Sequence, residues 1–457
     1  MNRHGGGAGR GTLAAGLALS GLALLLTWPA GVSFQDEVGY AGGARLLLEG
    51  RVRPSEATVT IWAPTRSGPV SKYPLFPSLP LVPFFFATVP LAAPAVAAVS
   101  LALLSWLASR VLGSWGVSRG WALVVAAHPS LVILARTLMP DLPLALLSLA
   151  AWWALRQDLR RGAVFLFALL ILIKPTGILL ALPMLAGEAW RRRGLPRGIG
   201  PFAWLLAPGV GIALGLAAVA LLNLIQTGGL AYGYSFAPVE RVLFSPAHLA
   251  VSGRALLLAL LLVPPGLILG LAPWWRRREW GVVFPVSVLV ALMAVYFHVD
   301  LGRGGLATLV LAPRLILPAV AFLAIGYGEL LAGLARRIRA ERWIVAALVA
   351  ATPLVWLTAG ITHQRWQQPM AEARRAAEAR LEAEGERVLG LTRGAFKAGV
   401  ASSRPVLWVP RSTEPRVVLC STEVPTYHTD VTPDLSCDLP GYHAVETIGT
   451  YSILVRD

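Results

Sequence analysis

Ser33-Phe34-Gln35-Asp36-Glu37-Val38-Gly39-Tyr40 lies between two apolar runs, 12–29 and 90–109. It opens a polar segment that closes on Ser71-Lys72-Tyr73-Pro74-Leu75. Paired carboxylates and a later lysine are costly beside hydrocarbon, so at a membrane surface such residues read as functional. A plain connection between helices needs roughly 2–8 residues. The polar segment, 30–79, is far longer than that.

The rest of the chain supplies the membrane. Its 457 residues are 56% apolar and 14% charged, with mean hydropathy +0.64. A soluble domain carries about 25% charged residues. Further apolar runs follow at 121–138, 142–155, 163–173, 177–190, 201–225, 255–273, 281–297, 315–334 and 343–360. Each is long enough, or nearly so, to cross about 30 Å of hydrocarbon. The expectation is a polytopic α-helical membrane protein of eleven transmembrane helices over residues 1–360, with a polar tail over 361–457.

Net charge is +16, but residues 361–457 hold 11 basic and 12 acidic side chains, so the whole excess lies in the first 360. There the arginines form short clusters: Arg3 and Arg10, Arg110 and Arg119, Arg156 to Arg161, Arg191 to Arg197, Arg276 to Arg278, and Arg336 to Arg342. All fall on one side of the alternating runs, which the positive-inside rule makes cytoplasmic. The N-terminus is then cytoplasmic in the inner membrane, and the Asp36 loop and the tail are extracytoplasmic. Clusters of this kind set topology and form no nucleic-acid face. No Walker loop, Cys-x-x-Cys, His-Glu-x-x-His or dinucleotide fingerprint occurs, which argues against an ATPase, a zinc hydrolase or a dehydrogenase.

The tail reads as a small α/β domain: a helix-like stretch, 367–388, then β-like runs at Val406–Val409, Val417–Cys420, His443–Ile448 and Tyr451–Val455. Cys420 and Cys437 are the only cysteines. In an oxidising compartment they are candidates for a disulfide worth on the order of 3 kcal/mol, with free thiols as the alternative.

Two readings stand for Asp36. Ser33-x-x-Asp36 fits a capping box ahead of a helix-like run, Gly39 to Leu48. The same helix N-terminus keeps a carboxylate ionised, as a general base requires. Glu37 is either a second catalytic carboxylate or the residue that orients Arg45 or Lys72. Only three lysines occur among 40 basic residues, and Lys72 and Lys174 fall in outer loops with Arg303 and Arg314. A lysine suits one phosphate oxygen and an arginine grips two; snorkelling towards water is the alternative for each. Asp141, after Arg136-Thr137-Leu138-Met139-Pro140, is a helix cap, an ion-pair partner or a second acid at the site. His298 with Asp300 is too small a set for a metal site, and Tyr232 and Tyr234 fit a groove or an interfacial belt equally.

These residues resemble the GT-C superfamily of membrane glycosyltransferases, and within it the protein O-mannosyltransferase and lipid A aminoarabinose transferase group. The matching stretches are Gln35-Asp36-Glu37-Val38-Gly39-Tyr40, Lys72-Tyr73-Pro74-Leu75, Met139-Pro140-Asp141-Leu142, Lys174-Pro175-Thr176-Gly177 and Ala312-Pro313-Arg314-Leu315-Ile316-Leu317-Pro318. They cover roughly 12–335 and leave the tail unmatched. The resemblance implies an inverting transferase that takes a hexosyl or pentosyl group from a polyprenyl-phosphate carrier to an acceptor hydroxyl on a glycan, lipid or protein. It makes Asp36 the base and places Tyr40, Lys72, Tyr73, Asp141, Lys174, Arg303 and Arg314 around the substrate. Tyr73 stands where the group more often has proline. No Asp-x-Asp occurs in the outer loops, so neither a metal nor another cofactor is expected. A transporter or flippase of a lipid-linked sugar is the competing class; it would show two similar halves, and none is apparent.

Overall fold

The computed structural model describes residues 8–55, 58–59, 62–65, 68–71, 73–192, 200–229, 244–296, 305–392, 395–399, 402, 404, 406–408, 415–421 and 437–457. The first apolar run is helix α1 (Ala8–Leu26), and the polar segment opens with α2 (Gln35–Leu48). An antiparallel hairpin follows, β1 (Trp62–Thr65) and β2 (Gly68–Ser71), then a 3-10 turn, Phe76–Leu81, and α3 (Val82–Phe86). Helix α4 (Ala95–Ser114) resumes the apolar series.

Two runs expected as single spans are broken. Residues 121–138 divide into α5 (Leu123–Ala126) and α6 (Pro129–Leu134). His128 is extended there, with ψ 120°, because the residue before a proline avoids the helical region. After α7 (Asp141–Arg156), α8 (Arg160–Ile173), α9 (Ile178–Arg192) and α10 (Gly200–Thr227), the run 255–273 divides into α11 (Ser252–Leu262) and α12 (Leu271–Arg276). Pro264 and Pro265 lie in that gap and cannot donate to a continuing helix. The series ends with α13 (Trp280–Ala294), α14 (Gly305–Leu311), α15 (Leu317–Arg337) and α16 (Glu341–Ala383).

Among the described residues five helical stretches are long and apolar enough to cross a membrane, by length and composition: Gly9–Leu26, Pro90–Ser114, Leu205–Gln226, Gly305–Arg337 and Glu341–Ala383. The protein is multi-pass. The short pair α8 and α9 is not a hairpin packed on itself. Helix α8 lies along α7 and α10, and α9 along α13. Small residues allow the close approach: a Cβ on Gly211 would sit 2.3 Å from the Val164 carbonyl oxygen, and one on Gly215 2.9 Å from that of Ala168.

The helix expected separately over 367–388 is the C-terminal part of α16, which runs unbroken from the last apolar run through Pro353 and Pro369. It packs on a five-stranded sheet in the order β4-β3-β5-β7-β6. The strands are β3 (Leu389–Leu391), β4 (Val406–Trp408), β5 (Val417–Ser421), β6 (Tyr442–Ile448) and β7 (Tyr451–Arg456), with α17 (Phe396–Gly399) between β3 and β4. Strand β3 is parallel to both β4 and β5, and β7 is antiparallel to β5 and β6. Met370, Ala373, Ala377 and Leu381 of α16 share a core with Leu389, Leu391, Leu419 and Ile453, and Val59 of the polar segment joins it. Cys420 and Cys437 form a disulfide.

Candidate active site

Helix α2 starts at Gln35, so Asp36 and Glu37 occupy its first turn, where the macrodipole favours negative charge. Ser33 is not the cap expected from the sequence. The N-cap is Phe34, and the Glu37 carboxylate reaches back to accept its N–H at 2.9 Å. One face of α2 is cut away at Gly39 and Gly43. A Cβ at Gly39 would lie 2.2 Å from the Tyr73 ring, and one at Gly43 2.4 Å from the Ser78 hydroxyl. The segment 73–78 therefore seats directly on α2. Tyr73 lies over Gly39, its ring 5.1 Å from that of Tyr40, and donates its hydroxyl to Asp36 Oδ1 at 2.6 Å.

The other Asp36 oxygen forms an ion pair with Arg314, which arrives 278 residues later on the 3-10 turn Ala312–Ile316 that precedes α15. The Arg314 guanidinium also lies 5.2 Å from the Phe34 ring centre. Both partners are nearly closed off: the side chains of Arg314 and Asp36 are 8% and 15% exposed. Burial works to push the Asp36 carboxyl up, but Arg314, the Tyr73 hydroxyl and the charge of Lys174 together hold it below the usual carboxylate range. These partners favour the ionised carboxylate.

Lys174 ends α8 in an extended conformation ahead of the turn Pro175–Gly177 and donates to Asp141 Oδ1 at 2.9 Å. Asp141, at the first turn of α7, is thus an ion-pair partner, and its Oδ2 has no partner among the described residues. Asp36, Tyr40, Tyr73, Lys174 and Arg314 come together, with Asp141 held behind Lys174. Lys72 and Arg303 lie outside the described residues, as do His298, Asp300, Tyr232 and Tyr234.

Glu37 is bound into the backbone. It is 1% exposed, and both oxygens are engaged by backbone amides: Ser33 N at 2.7 Å and Phe34 N on Oε1, Leu138 N at 2.9 Å on Oε2. Burial pushes its carboxyl up to about 7 against the pull of those amides and of Arg314. Arg45 turns instead to the tail, donating to the carbonyls of Ser402 at 2.8 Å and Arg404 at 3.3 Å. Sequence reasoning missed that contact, and it missed Gln367. The Gln367 side chain is fully buried against the start of the polar segment, and an isolated neutral amide gives no charge signal to find it by.

A multi-pass helical membrane body, a long first polar segment carrying the ion-paired carboxylate, and a mixed-sheet tail on the last helix together make up the fold. Two crystal structures of ArnT from Cupriavidus metallidurans share it, one bound to undecaprenyl phosphate and one in the apo state. The first superimposes with a TM-score of 0.60 at 13% identity, covering 97% of this chain and 98% of that one. The second gives 0.58 at 13%, covering 98% of both. No family model and no curated protein matches the sequence.

Proposed function

We propose that the protein is an inverting glycosyltransferase that moves a sugar from a polyprenyl-phosphate donor to an acceptor hydroxyl on the outer face of the inner membrane. The observation that carries this reading is the Asp36 carboxylate paired with Arg314 and bonded by the Tyr73 hydroxyl, with Lys174 nearby. The fold shared with an ArnT seen bound to undecaprenyl phosphate supports a polyprenyl carrier. The arginine clusters support eleven crossings, with N-terminus inside and site and tail outside.

In the reaction the acceptor oxygen attacks the anomeric carbon and its proton passes to Asp36. The bond from that carbon to the phosphate oxygen breaks, and the electron pair leaves with the polyprenyl phosphate. A phosphate leaving group needs no general acid; it needs fixed cations, which act without reorganisation in a closed site. Arg314 and Lys174 are described near Asp36, and Lys72 follows β2. While Arg314 rests on Asp36 the carboxylate is a weak base. A donor phosphate that draws Arg314 to itself frees the carboxylate and raises its basicity, so base strength is coupled to donor binding.

The test is transfer by membranes carrying the full chain, supplied with undecaprenyl-phosphate-linked hexoses and pentoses. Transfer by the wild type and its loss in Asp36→Asn, with the donor still bound, is the expected result. Retained transfer in a folded Asp36→Asn protein overturns the base assignment. Movement of the donor across the bilayer without transfer overturns the enzyme reading in favour of a flippase.

A further inference from the structure

The backbone just before Asp36 is tied to the helix that carries the tail. Gln367, on the C-terminal part of α16, uses its whole amide: Oε1 accepts the Ala30 N–H at 2.9 Å, while Nε2 donates to the Gly31 carbonyl at 2.6 Å and to the Ser33 hydroxyl at 2.9 Å. One turn earlier, Gln364 donates to the Trp28 carbonyl at 3.3 Å. The chain of bonds continues without a gap. The Ser33 and Phe34 amides go to Glu37, and the other Glu37 oxygen takes the Leu138 amide in the turn before α7. Polar groups from residue 28 to residue 37 are therefore fixed between α16 on one side and the α6–α7 turn on the other, and Asp36 sits inside that stretch.

Resting on the glycosyltransferase reading, we infer that Gln367 is a positioning residue for Asp36: the strap from Gln367 through residues 30–34 to Glu37 sets where the catalytic carboxylate points. A helix–loop contact that only needed burial would be met by an apolar side chain, because a buried amide must have every donor and acceptor satisfied or it destabilises. Here each is satisfied, and each by a group within seven residues of Asp36. The strap's bonds run through backbone groups and the Glu37 carboxylate, while Arg314 meets it at the Phe34 ring, so the cations on the donor phosphate depend on it less than Asp36 does. Its effect falls on the base.

The experiment uses membranes with the full-length Gln367→Leu, Gln367→Met and Gln367→Glu proteins, with undecaprenyl-phosphate-linked sugars as probe. Leu and Met keep the volume and lose every bond. Glu keeps the acceptor facing Ala30. A displaced reacting group costs on the order of 10²-fold, so kcat should fall by about that factor in Leu and Met while donor KM moves by less than about twofold. Gln367→Glu should recover part of the loss. Hydrogen exchange at the Ser33 and Phe34 amides should quicken in Leu and Met, with the tail disulfide still formed. Unchanged kcat in a folded Gln367→Leu protein, or a loss that falls wholly on donor KM, overturns the positioning role. A wild type that transfers from no polyprenyl donor overturns the glycosyltransferase reading and this inference with it, which separates the two failures.

Discussion

The same three helices, α7 to α9, carry a buried ion-pair cluster at each of their ends, and the clusters are built differently. At one end Asp141 starts α7 and meets Lys174, which follows α8, with Asp36 and Arg314 close by. At the other end Glu188, 1% exposed, meets Arg191 and Arg192 of its own helix; Arg192 also meets Asp158 at 3.0 Å, and Arg156 meets Glu279 at 2.9 Å. The second cluster is local at Glu188, which is paired three and four residues along one helix, a geometry any helix provides, while Arg192–Asp158 and Arg156–Glu279 join segments 34 and 123 residues apart. The first joins segments 33 and 278 residues apart and leaves a carboxylate oxygen without a partner among the described residues. Closing two charges off from water costs several kcal/mol per ion, and a buried pair recovers this only in good geometry. The pair between Asp36 and Arg314 carries that cost across the whole membrane body, which is what the proposed base role would require. Neither burial of an ion pair nor an unpartnered oxygen separates the two ends, since Glu279 Oε2 also lacks a partner among the described residues; the pairing of Asp36 with Arg314 across 278 residues does.

The deepest effect should come from Asp36→Asn. Removing a general base lowers kcat by about 10²–10⁴-fold. Because the change also releases Arg314 for phosphate, donor KM should stay level or fall. Steady-state kinetics with varied donor checks both signs. A rise in donor KM with kcat preserved would make Asp36 a binding group and blur the difference between the two clusters.

Next in size are the changes that move the Asp36 hydrogen bond while sparing the charge. Tyr73→Phe removes the hydroxyl that Asp36 accepts, and hydrogen bonds to charged groups contribute about 1.5–3 kcal/mol. Losing a bond that holds the carboxyl down raises its pKa, so the acid limb of the pH–rate profile should shift upward. Gly39→Ala reaches the same bond indirectly, since its Cβ would lie 2.2 Å from the Tyr73 ring and force the ring away. A fall of about tenfold in kcat is expected from either. An unshifted pH profile in Tyr73→Phe would detach Tyr73 from the base.

Glu37 gives a pH effect in which activity and stability move in opposite directions. Its carboxyl is raised to about 7 in the folded protein, against 4.5 ordinarily. A raised pKa means that folding favours the protonated form. That contribution is complete below about pH 4.5 and is lost as pH rises through about 7. Thermal stability should therefore increase as pH falls from 8 to 5. Activity should decrease over the same range, because only the carboxylate accepts the Ser33, Phe34 and Leu138 amides together. Arg314 is the charged group facing Glu37 from a neighbouring element, and it favours the ionised form. Glu37→Gln cannot titrate, so the transition near 7 should vanish from both curves. Its persistence would assign the titration to another group.

Much of this was written in the sequence, unevenly. Charges are scarce in an apolar chain, so Asp36, Lys174 and Arg314 stood out, and their shared side followed from counting runs between arginine clusters. The breaks at Pro129 and at Pro264-Pro265 were legible as kinks but not as full ends of helices, because neighbouring helices decide whether freed backbone groups are satisfied. The stretch 367–388 reads as separate from the run 343–360, whereas α16 continues from one into the other. Glu37 was visible as a charge and opaque as to role, because its partners are backbone amides that every residue carries. Gln367 was invisible: a neutral amide, 334 residues from Ser33, gains meaning only when the fold sets it against that backbone.

The smallest effect on transfer belongs to the far cluster. Glu188→Gln keeps an oxygen for Arg191 and Arg192 but removes the buried charge, leaving two guanidinium groups near one another. Breaking a buried pair from one side destabilises by about 3–5 kcal/mol, less where partly exposed arginines reach water, as these do. Asp158 is 67% exposed, and its bridge to Arg192 contributes about 0–1 kcal/mol. Thermal unfolding should therefore register Glu188→Gln clearly and Asp158→Asn barely, while kcat and donor KM of both stay within about twofold of the wild type. A loss of kcat in Glu188→Gln as deep as that of Asp36→Asn would erase the distinction between a pair made within one helix and a pair made across the fold.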